Sequence, residues 1–289
     1  MNYLSICSLV AFDNPYEAEE WYRYHLEIGV EKFYLVDDGE IDLKEVFDEK
    51  HIQFMEKEET DSAFQLRMVH RALCDFRTTT KWCSFTDSDE FLFCEKGDFQ
   101  AYLQEMEEFN SVELKMRCFS PPRGYKLGDS ILKTFKKYNK STLTKCVVNL
   151  EENHKRYGTS LKGVQFNIHN VADDGVDAKG VPSQRQNAFE HFQLRTKELI
   201  QDYHTQPAWY HHYPVRSVEQ LKRRILDVPK QVDKGLWPKG LTAENRIGTI
   251  LAQFWDTING CEEFDFEKEY PDLYKRLVLH KPFLYKRLI

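Results

Sequence analysis

Short apolar runs alternate with helical segments in the N-terminal third of the chain, and this alternation constrains the fold most. Leu4 to Phe12, Lys32 to Val36 and Trp82 to Thr86 have the length and the aromatic or β-branched content of buried strands. Chains that alternate in this way form a mostly parallel central sheet covered by helices. The sequence therefore predicts an α/β fold.

Local capping signals place the first helix between the first two strands. Asn14 is suited to the N-cap and Pro15 to the first helical position, and Gly29 is suited to a left-handed C-cap. A second, longer helix is predicted up to Arg77. Further helices are predicted from Asp98 to about Phe109 and from Ser217 to about Leu226. Further strands are predicted at residues 145–150 and 163–171. We expect the Gly-, Asp- and Pro-rich residues 173–186 to form a mobile loop.

Acidic residues follow three of the predicted strands. They are Asp13, Asp37 with Asp38, and the cluster Asp87, Asp89 and Glu90. In open α/β sheets the ligand lies beyond the carboxyl ends of the strands, so these acids mark the predicted site. A carboxylate cannot stay buried without a positive partner. Mn²⁺ or Mg²⁺, bound in turn to a phosphate, is the economical candidate.

Two alternatives to this metal site stay open at this point. An acidic loop can be merely solvated, and a D-x-D pair is the start of a phosphatase-type D-x-D-x-T nucleophile motif. Phe91 follows Glu90, no Thr or Val stands two positions after Asp89, and the cluster is far from the N-terminus. These points disfavour the phosphatase.

Further polar residues are candidates for a nucleotide site. Asp37 and Asp38 form either an acidic turn or the hydrogen-bonding partners of a base and ribose. Arg71, on the second predicted helix, carries a guanidinium that suits a diphosphate. His211 and His212 cannot both face one site in an extended segment. We take His212 as the candidate metal ligand.

Composition excludes several classes of protein. A formal charge of −7 disfavours a nucleic-acid partner. No stretch is apolar and long enough to span a membrane, and the N-terminus lacks the pattern of a signal peptide. The seven cysteines are odd in number and form no C-x-x-C pair. They predict reduced thiols and a cytoplasmic protein.

Several sequence blocks stand in order along residues 5–228. They are residues 11–14, 19–25 and 29–34, the V-D-D-G strand end at 36–39, the W-x-x-x-x-D-x-D-E-F-L block at 82–92 and the H-Y-x-x-R-S-x-E block at 212–219. Together these blocks resemble family 92 glycosyltransferases, which are relatives of family 2 with the GT-A fold. Two departures are Asp13-Asn14 in place of a basic-Asn-Glu triplet and Arg216 in place of Lys.

The resemblance implies a metal-dependent transfer of a sugar, with inversion, from a nucleotide-diphosphate sugar, UDP-linked, to a hydroxyl of a glycan or glycoconjugate. By this analogy Asp89 binds the metal, Asp87 contacts the ribose or a water on the metal, and His212 completes the site. The implied metal-site residues are therefore Asp87, Asp89 and His212. The implied donor-site residues are Asp13, Asp37, Asp38, Gln65, Arg71 and Asp87. An inverting reaction needs a carboxylate base. The candidates for the base are Glu90, Asp173, Asp174 and Glu244.

The same comparison gives an expected domain organisation. Residues 1–228 form the GT-A domain, with a nucleotide-sugar half at about 1–95 and an acceptor half at about 96–228. Residues 229–289 form a helical extension packed on that domain. The tail 270–289 mixes apolar and basic residues. It is either a terminal helix packed on the core or a peripheral membrane contact.

Two other functions remain as alternatives. A nucleotidyltransferase on a related sheet would share the acidic pair and the metal. It normally carries a Gly-rich basic loop after the first strand, and residues 11–16 contain neither Gly nor Lys. The other alternative is a non-catalytic protein that binds a nucleotide sugar or a glycan.

Overall fold

The computed structural model gives the architecture for most of the N-terminal half and for parts of the rest. The predicted strand at 163–171 lies outside the described residues, as does nearly all of the tail 270–289. The described residues are 1–56, 64–122, 125–126, 128–157, 176–177, 207–216, 218–233, 242–244, 247, 262–263, 268 and 271–272.

A single mixed sheet forms the centre of the part that the structure describes. Its order is β3-β2-β1-β4-β7-β6-β9-β5, with β8 paired to β6 and β10 paired to β7. The strands are β1 (Asn2–Val10), β2 (Lys32–Asp37), β3 (Ile52–Phe54), β4 (Thr80–Ser84), β5 (Glu90–Cys94), β6 (Ser111–Phe119), β7 (Lys137–Asn149), β8 (Val176–Asp177), β9 (Ala208–His212) and β10 (Glu262–Glu263).

Strand directions divide the sheet into two parts. β1 to β4 are mutually parallel, so the ends of β1, β2 and β4 lie at one edge. β7 is antiparallel to both β4 and β6, whereas β9 is parallel to β6 and antiparallel to β5. The predicted α/β class, with helices flanking a central sheet, is confirmed.

Helices connect and cover the strands. Within the described residues, none of them is both long and apolar enough to cross a membrane. They are α1 (Pro15–Glu27), α2 (Phe64–Arg71), α3 (Phe99–Gln104), α4 (Ile131–Thr134), α5 (Leu150–Tyr157) and α6 (Val218–Asp233).

Several boundaries differ from the sequence-based expectation. The helix predicted up to Arg77 changes after Arg71 to a π-helical turn, Ala72–Phe76. The helix predicted to reach Phe109 ends at Gln104, because tighter three-residue turns follow it and bring Asn110 against β7. Two residues of the expected loop at 173–186 instead form β8, since they pair with β6.

α6 is also longer than expected. It was predicted to end near Leu226, but it continues through Pro229 to Asp233. Leu221 and Val228 are buried together with Val215 in a small apolar cluster. Burial of Val228, two residues beyond the expected end, favours the extension.

α1 begins and ends as its sequence predicts. The side-chain oxygen of Asn14 accepts a hydrogen bond of 3.0 Å from the backbone N–H of Glu17, and Pro15 occupies the first position. Gly29, after the helix, has a φ of 102°, which non-glycine residues rarely adopt.

The cap of α1 gives a first testable prediction. Asn14→Ala removes the acceptor for the Glu17 N–H, so we expect the free energy of unfolding to fall by about 1 kcal/mol. Urea denaturation followed by circular dichroism measures this change. Asn14→Ser, which keeps an acceptor, should retain most of the stability. Equal stability of Asn14→Ala and the wild type would contradict the assigned cap.

α1 also binds the outer edge of β5, the last strand in the order of the sheet. The indole N–H of Trp21 donates to the carbonyl of Glu90 at 2.8 Å, and the Tyr24 hydroxyl donates to that of Leu92 at 2.5 Å. The Leu92 N–H donates to Nε2 of His25 at 3.3 Å, and Nδ1 of His25 bonds the Trp21 carbonyl. Burial lowers the pKa of His25 to about 3, so the ring is neutral and bridges helix and strand.

Six described cysteines are free thiols, in agreement with the prediction of reduced cysteines. Burial raises the pKa of Cys7, Cys83, Cys94 and Cys146 above the ordinary value. These four thiols therefore stay protonated and pack as small apolar side chains.

Candidate functional site

The acidic cluster forms the turn between β4 and β5. The backbone N–H of Glu90 donates to the carbonyl of Asp87 at 3.1 Å, which closes the turn, and β5 begins at Glu90. β9 pairs antiparallel with β5 in a register that places His212 opposite Glu90. The Tyr213 N–H then donates to the carbonyl of Asp89 at 2.8 Å. Strand pairing thus brings His212 to the acids across more than 100 residues of sequence.

Asp89, Glu90 and His212 converge. Each offers one ligand atom, and these atoms lie within 4.8 Å of one another. Nε2 of His212 is 3.6 Å from Oδ2 of Asp89, and its Nδ1 is 3.7 Å from the Cys118 sulfur. The neighbouring His211 points away and stacks on Phe93, with ring centroids 3.7 Å apart. Adjacent positions of a strand face opposite sides, so the site takes only one of the two histidines.

The charges of Asp89 and His212 stabilise each other. Burial raises the pKa of Asp89, but His212, with further contributions from Arg216 and Arg224, lowers it well below its ordinary value. Burial lowers the pKa of His212, but Asp89 raises it well above its ordinary value. Both side chains are therefore charged in this arrangement. Once His212 loses its proton, the negative charge of Asp89 is available to a cation.

A lysine supplies the positive charge for the rest of the cluster. The ammonium group of Lys145 on β7 lies 2.6 Å from Oδ2 of Asp87 and 2.5 Å from Oε2 of Glu90. The Lys145 side chain is 0% exposed and that of Glu90 is 1% exposed. Asp87 and Glu90 raise the pKa of Lys145 above its ordinary value although burial opposes this, so the lysine stays charged.

Lys145 was not among the predicted site residues. Its strand was expected to begin at residue 145, but β7 begins at Lys137. Ser84, the last residue of β4, pairs with Val147, and β7 therefore runs on beside the chain that leads to Asp87. The requirement for a positive partner was foreseen, but a protein side chain meets it for Asp87 and Glu90.

Burial raises the pKa of Glu90 to about 7, although the ammonium of Lys145 opposes the shift. Its Oε2 accepts both the Lys145 bond and the backbone N–H of Asp87 at 2.9 Å. Glu90 was a candidate base, but its burial and these bonds suit it better to holding the turn.

A cavity of about 270 Å³ adjoins the acids. The end of β1 forms one wall, and Asp87 and Asp89 form part of the other. The residues that line the cavity are Cys7, Ser8, Leu9, Ala11, Met68, Phe85, Asp87, Ser88 and Asp89. Burial raises the pKa of the Cys7 thiol to about 12, although the positive charge of Arg71 opposes this rise.

Three of the predicted donor-site residues lie at the ends of β1 and β2. Oδ1 of Asp37 accepts from the Gly39 N–H at 3.0 Å, and the exposed Asp38 bonds the Val10 carbonyl through its own N–H. Asp13 instead contacts α6: it accepts from Gln220 at 2.9 Å and pairs with Arg223 at 3.2 Å.

The structure says less about the remaining candidates. Gln65 belongs to α2, but its side chain lies outside the described residues. Asp173 and Asp174 are outside them as well. Glu244 is exposed in a helical segment, where hydrogen bonds lower the pKa of its carboxyl group. The choice of a base therefore stays a prediction.

A buried ion pair, also missed from the sequence, holds the segment after β9 against α1. The guanidinium of Arg216 donates to Oε2 of Glu17, and the Tyr125 hydroxyl donates to Oε1 at 3.0 Å. The side chains of Arg216 and Glu17 are 5% and 2% exposed. This contact fixes the chain four residues after His212.

The donor set fits a hard divalent cation. Two carboxylates and one imidazole, gathered within 4.8 Å, offer the oxygen and nitrogen ligands that Mn²⁺ accepts. Asp89 is partly exposed at the cavity wall, so a cation held there retains open coordination positions toward the cavity. Mg²⁺ is also compatible, because it is commonly bound by one or two carboxylates together with substrate phosphates.

No protein-family model and no curated protein matches the sequence. Among solved structures, S. aureus TarS 1-349 in complex with UDP-GlcNAc is 12% identical over 88% of this chain and 72% of that chain, with a TM-score of 0.37. The galactosyltransferase LgtC with donor and acceptor sugar analogs is 11% identical over 86% and 95%, at 0.34. The 4-diphosphocytidyl-2C-methyl-D-erythritol synthase of Anaerococcus prevotii is 12% identical over 58% and 80%, at 0.31. These likenesses are too distant to carry an argument about function.

Proposed function

We propose that this protein is a metal-dependent glycosyltransferase. It moves a sugar from a nucleotide-diphosphate sugar, UDP-linked, to a hydroxyl of a glycan or glycoconjugate, with inversion. The observation that carries the proposal is the convergence of Asp89, Glu90 and His212 at the end of β4, beside a cavity that opens at the end of β1. Ligands of open α/β sheets bind at such strand ends.

In this proposal Asp89 and His212 hold Mn²⁺ or Mg²⁺, and Glu90 adds a ligand through the oxygen that Lys145 leaves. The metal would supply charge neutralisation for the diphosphate that leaves the sugar. The protein's own side chains orient the donor. We propose that Arg71 turns toward the cavity when the donor binds, since a guanidinium can bind phosphate oxygens.

The nucleoside half of the donor extends toward the ends of β1 and β2. Asp37 and Asp38 there offer acceptors for base and ribose hydrogens, and we propose that Gln65 faces the same region. Asp13 is held by α6 in this structure, so its role in the proposal is to fix that helix to the end of β1.

The finer assignments are also proposals. We infer membership of family 92 from the ordered sequence blocks, and a GT-A domain over residues 1–228. The strand β10, from the segment after 228, pairs with β7, which supports an extension packed on the same domain. Asp173, Asp174 and Glu244 stay candidates for the base, and the tail for a peripheral membrane contact.

Thermal melting tests the proposal directly. We expect UDP and Mn²⁺ together to raise the melting temperature by several degrees, because a ligand that binds only the folded state stabilises it. UDP alone or Mn²⁺ alone should give a smaller rise, since the diphosphate and the cation bind as one unit. AMP with Mn²⁺, which lacks the diphosphate, serves as the control.

Turnover separates the enzyme from its alternatives. Incubation with UDP-sugars and Mn²⁺ should release UDP slowly, through transfer to water. Release of pyrophosphate from a nucleoside triphosphate and a sugar phosphate would instead identify a nucleotidyltransferase. A melting shift without turnover of any of several nucleotide sugars would favour a binding protein.

A further inference from the structure

Lys145 is the charged side chain of the site that the proposed function does not use. It is fully buried, and its ammonium group bonds one oxygen of Asp87 and one of Glu90. Lysine is rarely buried unless it is paired, because an unpaired ammonium loses several kcal/mol of hydration. Its place between two acids therefore demands an explanation from the chemistry of the site.

We propose that Lys145 is a resident cation of the acidic site. It holds Asp87 and one oxygen of Glu90. A divalent ion is then confined to the side of Asp89 and His212, and the site takes one such ion. This inference rests on the proposed cation site, but it concerns how the protein divides its own acids between a lysine and a metal.

Charge balance supports the division. Asp87, Asp89 and Glu90 together carry three negative charges when ionised. When His212 is neutral, as a metal ligand must be, the ammonium of Lys145 leaves two negative charges, which one divalent ion neutralises. Without the lysine, the acids would exceed the charge of one ion and would attract it more strongly or bind a second.

Geometry supports the same division. Oδ2 of Asp87 and Oε2 of Glu90 both point to the ammonium group, at 2.6 and 2.5 Å. Oδ2 of Asp89 points instead to His212, at 3.6 Å. The group of potential ligands that lie within 4.8 Å of one another contains Asp89, Glu90 and His212, and Asp87 is not part of it. The site thus has a lysine side, where Lys145 bonds Asp87 and Glu90, and a histidine side, where His212 lies with Asp89. Glu90 belongs to both sides.

The backbone gives Lys145 a positioning role as well. Glu90 also accepts the N–H of Asp87, so the lysine, the carboxylate and the turn form one bonded unit. Lys145 is a positioning residue in this inference, because its buried side chain reaches the acids and not the cavity.

Manganese titration of Lys145→Met by calorimetry tests the inference. We expect the variant to bind Mn²⁺ about tenfold more tightly than the wild type, or to bind a second ion, since a neighbouring positive charge is removed. The Mn²⁺-induced rise in melting temperature should also be larger, because the ion replaces the lost ammonium. Lys155→Met is the matched control: Lys155 also pairs with two glutamates but is exposed, and its loss should leave Mn²⁺ affinity unchanged.

The outcomes separate this inference from the proposed function. If the wild type binds Mn²⁺ and Lys145→Met binds it no more tightly and with the same stoichiometry, the inference is wrong and the proposed function stands. If only the variant binds, the lysine is the resident cation and the metal dependence of the proposed function is wrong. If neither binds, both are wrong. Folding of the variant only in the presence of Mn²⁺ supports the inference.

Should Lys145→Met fail to fold with or without Mn²⁺, a second pair of variants decides. Asp87 is 42% exposed, so Asp87→Asn should fold. We expect it to keep Mn²⁺ affinity within about threefold of the wild type, whereas Asp89→Asn should lose about tenfold or more. Equal losses in the two variants would show that Asp87 is a metal ligand, and would overturn the division.

Discussion

Asp89→Asn is expected to lower Mn²⁺-dependent release of UDP from a UDP-sugar by about 100-fold or more, while the protein stays folded. Even residues that only support a metal ligand change affinity or activity by about 10–100-fold when they are replaced. Asp89 is proposed to be a direct ligand, and it is also the partner of His212 at 3.6 Å. The substitution therefore removes a negatively charged ligand from the cation site and leaves the His212 imidazole without its carboxylate partner.

Initial rates over a range of Mn²⁺ concentrations measure this effect. Asp227→Asn is the matched control, because Asp227 is a half-exposed acid on α6 that pairs with Lys230. Circular dichroism and melting curves establish that both variants are folded. Wild-type rates in Asp89→Asn, with or without Mn²⁺, would refute the proposed metal site.

Arg216→Met is expected to lower the free energy of unfolding by about 3–5 kcal/mol. Removing one partner of a buried ion pair leaves the other charge unpaired in a region of low dielectric. Glu17 is 2% exposed. Without Arg216 it would lose its charged partner and keep the bond from the Tyr125 hydroxyl at 3.0 Å. Urea denaturation measures the loss.

The pH dependence of that loss follows from the sign of the pKa shift. Burial raises the pKa of Glu17, and Arg216 is the largest interaction that opposes the rise. Without Arg216 the folded protein would keep a proton on Glu17 that the unfolded chain releases above a pH of about 4.3. The folded state then binds more protons, so the penalty of Arg216→Met should grow as the pH rises above about 4.3.

Two further variants test the explanation. Arg23→Met breaks the surface pair with Glu19, an i,i+4 pair on α1, and should cost about 0.5 kcal/mol or less. Adding Glu17→Gln to Arg216→Met removes the unpaired charge and should restore at least about 1 kcal/mol. A loss in Arg216→Met no larger than that in Arg23→Met would contradict the role of the pair.

Local signals made much of the N-terminal half predictable. Asn14 acts through a side-chain bond to the nearby Glu17 N–H, and Pro15 and Gly29 act through their own backbone, so the sequence alone locates both ends of α1. The apolar strands are predictable for a similar reason: their side chains are buried whichever strands they pair with. The order of the acids along the chain was enough to predict that they lie at one edge of the sheet.

Contacts between distant segments were less accessible. Residues 137–144 are mostly polar, and their place in β7 depends on pairing with β6 and β10. The interior position of Lys145 follows from that pairing, and no local sequence pattern predicts it. His212 was already a candidate ligand, but its approach to Asp89 depends on the register of β9 on β5, which no local pattern specifies.

The bonds between α1 and β5 have a consequence for self-association. A strand at the border of a sheet exposes unpaired N–H and C=O groups, which other chains can use for intermolecular pairing and aggregation. Here the indole of Trp21, the phenol of Tyr24 and the imidazole of His25 take these backbone groups of β5. An incoming chain could extend the sheet on that side only after displacing α1. By covering this edge, α1 thus also opposes edge-to-edge polymerisation of the protein.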